Sequence, residues 1–154
     1  MAQLTYDKAP AVAQAGMLAE QFSLRQVDSF LAEGDILFGQ PVVYGTSEEQ
    51  CKPAALVTDK FLGLALLEKN VEQDAAGVAK YADEDMASVM RYGRVWAIAG
   101  EAVAAGEPVF AGLGGDLGKF YNDSATNTRL ECKGKFVTSA AADGDLVLIE
   151  LVWA

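Results

Sequence analysis

The stretch MRYGRVWAIAG, residues 90–100, packs Met90, Tyr92, Trp96 and Ile98 around Arg91, Gly93 and Arg94. Upstream it continues a longer apolar run, ASVMRYGRVWAIA at 87–99, rich in residues that suit a pleated, half-buried surface. As a strand it places Met90, Tyr92, Arg94, Trp96 and Ile98 on one face and Arg91, Val95 and Ala97 on the other. Gly93 interrupts that alternation. It permits a bulge or the close approach of another backbone, and a bulge there swaps the phase of the residues after it. The stretch therefore reads as the stiff central strand of a β domain. Trp96 is expected in the core, where truncation to Ala would cost roughly 3–5 kcal/mol.

From residue 24 onward the same pattern recurs. Short apolar runs stand at 36–39 (ILFG), 41–45 (PVVYG), 61–67 (FLGLALL), 108–112 (PVFAG), 119–121 (KFY), 135–140 (KFVTSA) and 146–153 (LVLIELVW). Glycine-rich turns punctuate them. Several runs are apolar throughout, as strands covered on both faces are. A corner pattern occurs three times, as AEGDILF (32–38), AAGEPVF (104–110) and ADGDLVL (142–148). Gly34, Gly106 and Gly144 supply the turn, Asp35, Glu107 and Asp145 sit at the solvated mouth, and the next residues enter the sheet. Pro108 fits at a strand start or an edge. The expected fold is mainly β, a small barrel in one domain over 23–154, with Trp96, Ile98, Phe110 and Leu148 in its core. The segment 68–85 holds six acids and two lysines and reads as a long polar surface loop.

Residues 1–22 differ from the rest. They are rich in Ala and Gln, and their larger apolar residues in the second half are Val12, Met17, Leu18 and Phe22. Two readings stay open: an N-terminal arm that folds on a neighbour through those four residues, or a short terminal helix on the domain's own core. On the first reading, deleting 1–22 leaves the barrel folded and weakens attachment to the partner.

Composition narrows the function. The chain of 154 residues carries 12 basic and 22 acidic side chains, a net charge of -10. That charge repels phosphate backbones and anionic lipid, so no nucleic-acid or membrane partner is expected. No apolar run reaches the ~20 residues of a membrane span, and the first residues lack the pattern of a signal peptide. Histidine is absent, which removes the usual general base and the commonest zinc ligand. Cys51 and Cys132 form no CxxC and read as two reduced thiols. GLGGDLGK at 112–119 lacks the P-loop order and reads as a glycine-rich hairpin. Asp83, Glu84 and Asp85, or Asp143 and Asp145, lack the EF-hand order and read as turn acids. No catalytic residue, cofactor or metal is expected.

The pieces AGMLAE, EGDILFGQPVVYG, FLGLALL, SVMRYGRVWAIA, AAGEPVFAG, GKF and DGDLVLIELV, in that order and spacing, resemble the structural cement proteins, or capsid decoration proteins, of tailed bacteriophages. The resemblance runs from about Ala15 to Val152 and is weakest over 1–14 and 68–82. It implies a β-clip or β-tulip-like barrel on the outer capsid surface of a virion, made in the host cytoplasm. It also implies a homo-oligomer, with a trimer favoured, that binds the major capsid protein and locks neighbouring subunits without catalysis. An oligomeric β-barrel that recognises a receptor or a sugar is the alternative. A small barrel enzyme working through carboxylates is the third reading.

Overall fold

The computed structural model describes residues 13–19, 25–68 and 75–152. The described strands are β1 (Gln26–Ala32), β2 (Ile36–Leu37), β3 (Pro41–Tyr44), β4 (Gln50–Pro53), β5 (Phe61–Ala65), β6 (Lys80–Tyr81), β7 (Met86–Ala99), β8 (Pro108–Ala111), β9 (Lys119–Tyr121), β10 (Leu130–Phe136) and β11 (Leu146–Leu151). One turn of 3-10 helix, Gly114–Asp116, joins β8 to β9 inside the glycine-rich hairpin.

Strand β7 organises the molecule. The hydrogen-bonded order β1-β4-β3-β5-β7 closes on itself because β1 also pairs with β7. The order β7-β11-β10-β8-β9 closes in the same way through a parallel β7–β9 pairing. The result is two five-stranded barrels sharing one long strand. Closure removes most of the free sheet edge.

Each ring has its own core. Phe30, Ile36, Val42, Cys51, Tyr81 and Val89 belong to the first. Val95, Ala97, Phe120, Phe136, Val147 and Ile149 belong to the second, which also receives Val43 from β3 and Leu64 from β5. Strands β3 and β5 are thus covered on both faces, which accounts for their unbroken apolar sequence. Cys51 and Cys132 are both buried and free, one in each cluster.

β7 passes from one core to the other by changing phase. Ala87 and Val89 point into the first, while Met90, Val95, Ala97 and Ala99 point into the second. Opposite β1 the register steps from Tyr92 to Met90 and leaves Arg91 unopposed, two residues before Gly93 at φ 129°. This bulge corrects the expected face assignment. Trp96 and Ile98 are half-buried and point outward, because after the bulge the small side chains line the ring. A five-stranded ring has a narrow interior, which suits Val and Ala at this crossing. Phe110 is likewise half-buried, between the fully buried Val109 and Ala111. Leu148 is 8% exposed and sits opposite Trp96, outside both clusters.

The polar stretch 68–85 is not surface loop throughout. Residues 69–74 lie outside the described residues, but β6 pairs with β2, and Tyr81 is 1% exposed. The Tyr81 hydroxyl donates to the Leu66 carbonyl at 2.7 Å, and burial, then the charge of Glu68, push its pKa up to about 12. No described helix is long and apolar enough to cross a membrane.

Candidate functional site

The outward side of the second barrel is built in rows across β7, β11 and β10. Glu150 lies opposite both Arg94 and Lys135, and Arg94 Nε donates to Glu150 Oε2 at 2.8 Å. Beside this charged row Trp96 lies opposite Leu148, and Val137 N–H donates to the Leu148 carbonyl. Leu146 opposite Ile98 forms the next row. A shallow depression of about 290 Å³ opens here, lined by Arg94, Gly106, Lys135, Phe136, Val137 and Glu150. Alternation in β10 turns Cys132 and Phe136 inward and Lys133 and Lys135 outward. Both lysines are exposed and make no ion pair among the described residues. Between them a Cβ on Gly134 would overlap the Glu150 carbonyl oxygen, so glycine is required for the strands to meet.

The N-terminal segment docks beside this face on its own chain. Gly16 N–H donates to the Trp96 carbonyl at 2.8 Å, and Trp96 N–H returns a bond to the Met17 carbonyl at 2.9 Å. Leu67 N–H donates to the Gly16 carbonyl at 2.9 Å, which ties the segment to the end of β5. Leu18 bridges to Val95 and packs against the second core. Of the four residues expected to contact a partner, Leu18 is therefore engaged in cis and Met17 is 41% exposed. Val12 and Phe22 lie outside the described residues. The described part forms an extended bridge rather than a helix.

An acidic end caps the first barrel. Asp83 accepts a bond from Gly34 N–H at 2.7 Å. Ala32 N–H donates to the Asp85 carbonyl, and Leu31 N–H to that of Glu49. Glu33 takes both the N–H and the hydroxyl of Thr46, and the backbone bond is the main cause of its lowered pKa. Glu33, Asp35, Glu49, Asp83, Glu84 and Asp85 thus gather at one end, where Lys80 pairs with Asp35 at 2.8 Å. Met86, 59% exposed, stands beside them opposite Leu31. Among the described residues no three His, Cys, Asp or Glu side chains are placed to hold a metal ion. In the sequence Asp83, Glu84 and Asp85 read as solvated turn acids. Their gathering with Glu33 and Glu49 depends on the parallel β1–β4 pairing, which has no local sequence signal.

The described residues thus form two fused barrels, with an amphipathic outer face on the second and an acidic end on the first. Residues 2–152 match the structural cement protein family of phages, described by E217 gp24 and Pam3 gp6, and the chain belongs to that family. It is a capsid cement protein of a virion. No curated protein matches the chain. Among solved structures, a chain of the capsid of Myoviridae phage XM1 superposes with a TM-score of 0.73 at 16% identity, covering 95% of this chain and 94% of that one. The N base of head fiber gp8.5 of bacteriophage phi29 aligns with a TM-score of 0.46 at 17% identity, over 84% of this chain and 95% of that one.

Proposed function

We propose that this cement protein sits on the outer face of the head, binds the major capsid protein and stabilises contacts between neighbouring capsid subunits. It acts as a small homo-oligomer, with a trimer as the expected form, and catalyses no reaction. The family match over residues 2–152 carries this reading. The physical features agree with it. Closed barrels joined by tight turns make a stiff body, and a net charge of -10 disfavours a place beside the genome. Many copies on one shell add their contacts, so weak individual contacts suffice.

The test is co-sedimentation of the purified chain with expanded, DNA-free heads prepared without it. Saturable binding at a fixed ratio to the major capsid protein is expected. No binding at high concentration would remove the decoration role and bring forward recognition of a receptor or a sugar. That second reading gains little from the depression on the second barrel, whose one aromatic, Phe136, is 1% exposed.

A further inference from the structure

We propose that copies of this chain meet head to tail, the acidic end of the first barrel of one copy seated on the cation-bearing outer face of the second barrel of the next. This deepens the homo-oligomer reading and rests on it. Each copy carries a charge of -10, so contacts that bring acid against acid are repelled. Among the described residues Lys133 and Lys135 are the exposed cations on that face without an ion pair; Lys135 lies opposite Glu150, which Arg94 already holds, and Lys133 lies beside Val152. At the other end Glu49 and Glu84 are exposed and make no ion pair among the described residues.

The apolar parts match as well. Met86 projects beside the acids, with Leu31 opposite it. Trp96 and Val137 lie half-buried beside the cations. One patch is apolar and acidic, and the other is apolar with three cations, Arg94, Lys133 and Lys135, against two carboxylates, Glu131 and Glu150. Two different patches make a heterologous contact, which closes into a ring when the rotation allows, rather than a two-fold pair.

Sedimentation velocity on the full chain tests this. The wild type is expected to associate, and rising salt should weaken the association. Lys133→Glu with Lys135→Glu should weaken it about tenfold or more, as should Glu49→Lys with Glu84→Lys. All four changes in one chain should restore it, a result that misfolding cannot produce. Met86→Lys, on an exposed side chain, provides an independent loss. An oligomer indifferent to both reversals would overturn this contact and leave the homo-oligomer reading standing. A monomeric wild type would overturn both. Unchanged association with lost head binding in the Lys133→Glu, Lys135→Glu chain would assign this face to the capsid and overturn the contact between copies.

Discussion

At Gly34, Gly106 and Gly144 the backbone takes the same φ of 91°, and open space surrounds the position of a missing Cβ. The requirement there is conformational, not steric. Two of these corners share a reciprocal pair of bonds. Ala104 N–H donates to Glu107 Oε2 while Glu107 N–H donates to the Ala104 carbonyl, and Ala142 with Asp145 repeats this. Ala82 with Asp85 makes the same pair, with Glu84 at φ 69° where the others have glycine. The three glycine corners are legible in sequence because glycine marks them. The fourth is not, since only the spacing from Ala82 to Asp85 echoes that from Ala142 to Asp145. Glu84→Gly should relieve left-handed strain worth roughly 1 kcal/mol and raise the melting temperature by about 2–4 °C. Gly144→Ala should lower stability by roughly 1–2 kcal/mol, and thermal melts of both variants check the pair. Glu107 also accepts from Asn122 Nδ2, and the Ala104 backbone bond, then this one, hold its pKa below the ordinary 4.5. A depressed carboxylate contributes stability that is complete above its unfolded value and lost as pH falls through its folded value. The urea midpoint of the wild type should therefore exceed that of Glu107→Gln at about pH 7, and the gap should close as the pH falls through the titration of the folded carboxyl, below that of a free glutamate. A constant gap would assign the difference to packing.

At the scale of elements, β7 shows what patterning can and cannot carry. Its identity as a central strand comes from the run 87–99, and Gly93 marks where the alternation breaks. Which phase faces the interior depends on whether the bulge forms, and that is set by β1, whose register step leaves Arg91 unopposed. The large residues Trp96 and Ile98, read as core for their size, lie on the outward side for this reason, and Phe110 takes the outward position of β8 between the buried Val109 and Ala111. Trp96→Ala should accordingly cost about 1–2 kcal/mol rather than a full core truncation. The N-terminal segment shifts in the same direction. Its pairing with β7 adds backbone bonds at Gly16, Met17 and Ala19, and Leu18 touches the second core. Deleting residues 1–22 should leave a folded chain with its melting temperature lowered by several degrees, since Val95 loses its cover and the Trp96 N–H its acceptor. An unchanged melt would return the segment to the role of a free arm. Composition marks this segment as different but does not distinguish docking in cis from docking on a partner, because Leu18 can fill either site.

At the scale of the whole molecule, two cores share one strand, and β3 and β5 serve both. That arrangement needs pairings between residues far apart in sequence, so the second barrel is not legible even though its strands are. It also has a mechanical consequence. A load on one barrel passes through β7 and the shared faces of β3 and β5 to the other, which suits a protein that cements a shell. The same coupling should make unfolding a single cooperative transition. A thiol in each core can report on it. Cys51 is wholly buried, and burial raises its pKa to about 11; burial also raises that of Cys132. A protonated, inaccessible thiol does not attack a reagent, so neither should label in the native state at neutral pH. Pulse labelling across a urea series, resolved by peptide mass, should then show both cysteines becoming reactive at one midpoint. If Cys51 reacts at lower urea than Cys132, the first barrel opens while the second persists, and β7 joins the two without coupling them. Coincident midpoints in the wild type that separate in Gly63→Ala would locate the coupling further, since a methyl at Gly63 in β5 would overlap the Met90 carbonyl at the point where β7 passes between the cores.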